Sequence, residues 1–152
     1  VQRYSHTETS RIPTIYALST HLSRAAIGVI RISGPQSTSI LQEITNKKHV
    51  PSPRVASVRR LYDPASGKLL DEALAIYFKE PRTYTGEDLV ELHVHGGTAV
   101  IKSVLNAIGG VHKAESPIRY AEAGEFSRRA FSNGRFDLTE IEGIRELIDA
   151  DT

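Results

Sequence analysis

Three ionisable side chains alternate in the segment LVELHVHGG: Glu91, His93 and His95. Residues two apart on a β-strand project from the same face, so these side chains would lie side by side. A carboxylate there can accept two parallel N–H donors from a flat heterocycle, and two imidazoles can bind one metal ion. A catalytic zinc site normally takes three protein ligands, and no histidine spacing completes such a set. The pattern therefore gives little support to a metal site, and it leaves open whether Glu91 is a carboxylate in a cleft or an ordinary exposed residue of the strand.

Arg31 is a second candidate, because it lies between apolar residues in the segment GVIRIS. An arginine in the middle of a strand is commonly paired with a carboxylate. It could form a structural salt bridge with Glu91, or both side chains could face a ligand. The spacing leaves both interpretations open.

Basic and aromatic residues recur near the C-terminal end of the chain. Arg128 and Arg129, with Arg135, Phe126 and Phe131 close by, could form an RNA-binding patch. Acidic residues share the same segment, which favours an ordinary solvated helix face.

The absence of several motifs limits the chemistry. The chain has no Walker A phosphate loop, no G-x-G-x-x-G fingerprint and no G-x-S-x-G nucleophile elbow. It has no cysteine, which excludes thiolate metal sites and cysteine nucleophiles. The formal net charge of +1 gives no global field that would indicate nucleic acid. No apolar run approaches the roughly 20 residues that span a bilayer, so we expect no membrane span.

The elements that position these residues follow from periodicity and from turn residues. Strands are predicted at 14–20, 27–33, 56–62, 70–79 and 89–95, and less clearly within 111–120. Helices are predicted at 37–45, at 98–108 with Thr98 as its cap, at 122–132 and from 138 onward. This mixture without regular alternation predicts an α+β fold with a mixed or antiparallel sheet. In the strand 89–95, the Val/Leu/Val face should contact the core.

The chain divides into three predicted parts. Residues 1–13 lack periodicity and are predicted to be a disordered leader or linker, either the remainder of a transit peptide or a frayed terminus. Residues 14–134 form the main domain. Residues 135–152 are predicted to begin a helical domain that continues beyond the sequence, because no Gly or Pro closes the last helix.

Three longer segments together resemble one protein family. They are TIYALST with Arg24 and GVIRISGP, then RTYTGEDLVELHVHGG, then AEAGEFSRRAFSNGRFDLTEIEGIRELIDA. Their order and spacing resemble the N-terminal region of the MnmE (TrmE) tRNA-modifying GTPases. The HVHGG segment is similar to the mitochondrial branch of that family, which implies a location in the mitochondrial matrix.

The resemblance implies a fold similar to the tetrahydrofolate-binding domain of aminomethyltransferases. It also implies a homodimer that binds 5-formyl-tetrahydrofolate, or a related tetrahydrofolate, as a one-carbon source. The whole protein would modify the wobble uridine of tRNA together with an FAD-dependent MnmG-type partner. GTP, Mg and K would bind only in a GTPase domain that this sequence lacks, so the fragment alone should be inactive.

Three folate contacts are implied by the same resemblance. They are Arg31 from the RISG motif, Glu91 from the VELH segment, and Arg135, which stands where the family usually has lysine. We expect Glu91 to bind the pterin and the two arginines to bind oxygen atoms of the folate. No catalytic residue or metal ligand is assigned. The alternatives are a metal-dependent hydrolase using His93 and His95, or a dimerisation or RNA-docking module without a folate site.

Overall fold

A six-stranded mixed sheet organises the computed structural model, which describes residues 12–19, 27–95, 97–111 and 116–135. The strands are β1 (Thr14–Leu18), β2 (Ile27–Ser33), β3 (Ser57–Tyr62), β4 (Leu69–Phe78), β5 (Leu89–His95) and β6 (Ile118–Tyr120). The helices are α1 (Ser37–Thr45), α2 (Thr98–Gly109) and α3 (Glu125–Ser132). The strand order is β3-β4-β5-β2-β1-β6, in which β1 and β6 are parallel and the other pairs antiparallel. This confirms the predicted α+β class.

Two predicted helix starts are wrong. Thr98 is the first residue of α2 rather than its cap, because Gly97 occupies the cap position and offers no side chain. Helix α3 begins at Glu125 rather than at residue 122, since Gly124 adopts the left-handed φ of 74°. The helix predicted from residue 138, and the predicted leader up to residue 11, lie outside the described residues. None of the helices in the described part is long and apolar enough to cross a membrane.

The main core lies on one face of the sheet, against α1 and α2. Its fully buried strand residues include Ile30 and Ile32 of β2 and Val90, Leu92 and Val94 of β5. Burial of these β-branched and leucine side chains supplies the main driving force for the fold. The prediction that the Val/Leu/Val face of β5 contacts the core is confirmed.

The opposite face, which we call the site face, carries Arg31, Glu91 and His93. Helix α3 covers the end of this face near β1, where Phe126 packs against Ile15 and Ala17 in a second apolar cluster. The site face therefore has an apolar, helix-covered end and a polar centre. Polar strand residues can remain there because they are only partly buried.

The β4–β5 loop (residues 79–88) is held between the sheet and α3. The Thr83 hydroxyl donates to the carbonyl of Glu87 at 2.6 Å, and the Asn133 amide donates to the carbonyl of Thr85 at 2.8 Å. The Tyr77 hydroxyl donates to Asp88 at 3.1 Å. Burial, together with the neighbouring Asp88 carboxylate, raises the pKa of Tyr77 to about 12, so this donor stays protonated.

A side chain at Gly86 of this loop should lower the stability of the domain. Its φ is 82°, and an added Cβ would lie 2.6 Å from the Cβ of Asn133. Gly67 has a similar φ of 75°, but no atom lies within 4 Å of the equivalent position. We therefore expect Gly67→Ala to cost about 1 kcal/mol from backbone strain alone, and Gly86→Ala about 2–4 kcal/mol. Urea unfolding of both variants measures the difference, and equal losses would contradict a role for the Asn133 contact.

Candidate functional site

A cavity of about 280 Å³ opens on the site face beside the β4–β5 loop. Its lining consists of Arg54, Phe78, Arg82, Thr83, Tyr84, Leu89, Glu91 and Arg135. Two of the three predicted ligand residues, Glu91 and Arg135, therefore share one cavity. The lining combines two aromatic rings, three guanidinium groups and one carboxylate. Such a surface suits a flat ring system that also carries anionic groups.

The Glu91 carboxylate is held in place but not saturated. Its side chain is 20% exposed, Arg31 Nη2 donates to Oε2 at 3.4 Å, and His93 Nε2 lies 3.3 Å from Oε1. Strong charge-assisted hydrogen bonds are shorter, at about 2.7–2.9 Å. Each carboxylate oxygen has a second lone pair, so both oxygens can accept a further donor from a ligand.

Arg31 lies behind Glu91 rather than in the cavity lining. The two residues face each other across the antiparallel pair of β2 and β5. The guanidinium carbon of Arg31 lies 4.6 Å from the centre of the Tyr84 ring and 5.8 Å from that of Phe126. Its Nε is buried and has no hydrogen-bond partner among the described residues. The salt-bridge interpretation accounts for this geometry, in which Arg31 positions the carboxylate.

Arg135 reaches the cavity from beyond the end of α3. Gly134 adopts a φ of 73°, which lets the chain turn back so that the Arg135 amide donates to the carbonyl of Ala130 at 2.8 Å. The side-chain Nε donates to the carbonyl of Thr83 at 2.8 Å. One donor of the guanidinium is thus fixed by the loop backbone. The other N–H groups have no partner within the described ranges and are available to a ligand.

The sequence of the chain was compared with known proteins. Residues 14–135 match the family model described as the N-terminus of the GTP-binding protein TrmE. The chain belongs to this TrmE N-terminal family. The matched range contains Arg31, Glu91 and Arg135, and the family resemblance inferred from the sequence is confirmed.

Relatives of this TrmE domain are named as tRNA-modification proteins. The chain is 48% identical over 154 residues to the mitochondrial tRNA modification GTPase MSS1 of Saccharomyces cerevisiae, and the alignment covers 92% of this chain and 29% of the relative. It is 52% identical over 139 residues to the mitochondrial 5-taurinomethyluridine tRNA synthase subunit GTPB3 of Homo sapiens, covering 91% and 27%. It is 50% identical over 139 residues to the tRNA modification GTPase MnmE of Parvibaculum lavamentivorans, covering 91% and 31%. The chain thus spans less than a third of each of these relatives.

Sequence reasoning assigned only two of the eight residues that line the cavity of this TrmE domain, Glu91 and Arg135. Tyr84 and Arg82 belong to the segment RTYTGED, and membership of a motif was the only signal that pointed to them. Arg54 had no such signal. It joins the cavity because its backbone amide donates to the carbonyl of Tyr77 at 2.8 Å, a contact between distant parts of the chain.

A buried ion-pair network joins α3 of the TrmE domain to the β4–β5 loop and β6. Arg129 lies 3.1 Å from Glu87 and 3.2 Å from Glu125, and Arg119 lies 2.7 Å from Glu125. Burial would raise the pKa of Glu125, but the hydrogen bonds from Arg119 and from the backbone amide of Glu122, with the charge of Arg129, hold it at about 2. Glu125 therefore stays ionised, and the network fixes the loop that forms one wall of the cavity.

This network corrects the prediction of a solvated helix face. Arg129 is only 13% exposed and turns inward, as does the fully buried Phe126. Arg128 follows the prediction, because it is exposed and lies 3.4 Å from the exposed Glu122. With Arg129 and Phe126 turned inward, the alternative of an exposed RNA-binding patch on this segment gains no support from these two residues.

The two histidines of β5 have different partners. His93 lies beside Glu91, whereas the backbone amide of His95 donates to Asp71 at 2.7 Å and its Nδ1 lies 3.5 Å from the same carboxylate. Within the described residues, no group of three or more His, Cys, Asp or Glu side chains is arranged to hold a metal ion. The metal-hydrolase alternative gains no support from this part of the chain.

Proposed function

We propose that this TrmE-family domain binds a formyl-tetrahydrofolate through Glu91 and holds it as a one-carbon source for tRNA modification. The supporting observation is a positioned, partly buried carboxylate with unused lone pairs on the wall of a cavity. A pterin presents a ring N–H and an amino group side by side, and one carboxylate can accept both. Membership of the TrmE family supports the same ligand.

The two arginines take different roles in this proposal. Arg135 binds an oxygen of the folate with the N–H groups that Thr83 leaves unused. Arg31 lies outside the cavity lining and holds Glu91 in orientation. A preorganised carboxylate lowers the entropy lost when a ligand binds.

Calorimetric titration of the purified protein with 5-formyl-tetrahydrofolate tests the proposal. We expect saturable binding with one ligand per protomer. The matched control ligand is p-aminobenzoyl-glutamate, which carries the tail without the pterin and should bind far more weakly. Absence of binding up to millimolar folate would overturn the proposal and favour a dimerisation or RNA-docking module.

We also propose that the domain forms a homodimer through the open part of the site face. Val58, Leu74 and His93 are neighbours across β3, β4 and β5, and Ile27 lies at the end of β2. The three apolar residues on this surface are exposed to solvent, with exposed fractions of 61% for Val58, 39% for Leu74 and 46% for Ile27. The cavity of about 280 Å³ is smaller than the roughly 300–1,000 Å³ of most small-molecule sites. A second protomer on this surface would bury the apolar residues and complete the site.

Leu74→Lys should convert the dimer to a monomer, because it places a charge in the middle of the apolar surface. Phe131→Lys is the matched control, since Phe131 is 48% exposed on α3 and outside this surface. Sedimentation velocity at micromolar protein distinguishes the species. A monomeric wild-type protein, or a dimer that survives Leu74→Lys, would contradict the proposed interface.

For the whole protein we propose a tRNA-modifying GTPase of the mitochondrial matrix that works with an FAD-dependent MnmG-type partner. The names of the relatives from yeast and human support the compartment and the tRNA chemistry. GTP, Mg and K would bind in a separate GTPase domain. The purified chain should therefore show no GTP turnover, and measurable phosphate release by the chain alone would contradict this assignment.

A further inference from the structure

The cavity carries more positive charge than its own residues neutralise. Arg54, Arg82 and Arg135 line it, and no carboxylate within the described ranges forms a salt bridge with any of them. The one carboxylate in the lining, Glu91, is already paired with Arg31. This positive field favours a ligand that carries several negative charges.

Arg54 is held at the cavity in a backbone conformation that side chains rarely adopt. Its φ is 66°, in the left-handed region. Its guanidinium donates to the carbonyl of Arg82 and lies 5.8 Å from the centre of the Phe78 ring. The backbone amide of Arg54 also donates a hydrogen bond to the carbonyl of Tyr77. Together these contacts fix both the backbone and the side chain of Arg54. A strained residue fixed by several contacts is a common feature of ligand sites.

We propose that Arg54 and Arg82 form a subsite for the glutamate tail of the folate, and that the cavity selects folates with more than one glutamate. This inference rests on the proposed function, in which Glu91 binds the pterin. A folate carries its pterin at one end and its carboxylates at the other. Each further glutamate in the tail adds one carboxylate, which matches a group of exposed arginines beside a pterin site.

The neighbouring groups suit a tail that leaves the cavity toward solvent. Arg54 and Arg82 are exposed, whereas Glu91 is mostly buried. Arg135 is tied to Thr83, which also lines the cavity, so it can contact the folate between the two ends. A guanidinium group can bind a carboxylate through two parallel hydrogen bonds. Two neighbouring arginines can therefore bind two carboxylates, which a glutamate tail supplies.

Calorimetric titration with the mono- and triglutamate forms of 5-formyl-tetrahydrofolate tests the inference. We expect the triglutamate to bind roughly tenfold more tightly at low salt, because each exposed ion pair contributes a few-fold. The advantage should shrink as ionic strength rises, since exposed charges are screened.

The double variant Arg54→Gly with Arg82→Gln should remove this advantage while the monoglutamate still binds. Glycine accepts the left-handed φ at position 54, so the variant removes the guanidinium without adding backbone strain. The control for net charge is the double variant Arg60→Gln with Lys68→Gln, which also removes two exposed positive charges but outside the cavity lining, and it should keep the advantage.

The outcomes separate this inference from the proposed function. Equal affinity of the wild-type protein for both folates would overturn the tail subsite and leave folate binding intact. A triglutamate advantage that survives the double variant would also overturn it. Failure of both folates to bind would overturn the proposed function itself.

Discussion

Glu91→Ala should lower the affinity for 5-formyl-tetrahydrofolate by at least about 100-fold. The substitution removes both acceptor oxygens that would bind the pterin. Hydrogen bonds to a charged group contribute roughly 1.5–3 kcal/mol each, so the loss of two corresponds to a factor of about 100 or more. Because the cavity is otherwise lined by arginines and aromatic rings, no other carboxylate in the lining can replace Glu91.

Stability must be measured beside affinity for this variant. Loss of Glu91 leaves the mostly buried Arg31 without its carboxylate, at a cost of roughly 1–2 kcal/mol. Glu91→Gln keeps the shape and one acceptor oxygen and should unfold nearly as the wild type does, yet bind folate weakly. Glu72→Ala, an exposed carboxylate on β4, is the matched control and should leave folate affinity unchanged. Calorimetry that finds equal affinity for Glu91→Ala and the wild type would refute the pterin assignment.

Glu125→Ala should lower the free energy of unfolding by about 3–5 kcal/mol, as expected when one partner of a buried ion pair is removed. Glu125 receives two hydrogen bonds of 2.7 Å from Arg119, one of 3.2 Å from Arg129 and one of 2.9 Å from the amide of Glu122. Its removal leaves Arg129 with Glu87 as its one carboxylate partner among the described residues. Glu122→Ala is the control, because an exposed ion pair contributes about 1 kcal/mol or less.

The contribution of Glu125 should depend on pH. Its folded pKa of about 2 lies below the ordinary value of 4.5. This difference in pKa corresponds to roughly 3 kcal/mol of unfolding free energy. The contribution is present above about pH 4.5 and is lost as the pH falls toward 2. Urea unfolding at pH 7 and pH 3 should show the difference in unfolding free energy between wild type and Glu125→Ala shrinking by roughly 2 kcal/mol at the lower pH. A difference that stays constant would show that Glu125 is not held ionised by its arginine partners.

Local sequence was sufficient for the elements around the site. Strands β2 and β5 and helix α1 have the predicted bounds, because alternation, helical spacing and Gly or Pro breakers act over neighbouring residues. The family motifs pointed to Glu91 and Arg135, which the structure places in one cavity. Whether they bind folate stays a prediction until it is measured.

Tertiary structure decided how those residues are used. Only the register between β2 and β5 sets Arg31 against Glu91, and only the packing of α3 turns Arg129 inward to Glu87. Arg54 reaches the cavity through a contact with β4 that no local pattern encodes. The physical reason is the same in each case. A residue's chemistry and its local conformation are set by near neighbours in the chain, whereas its partners are set by the long-range packing of strands and helices that brings distant segments together.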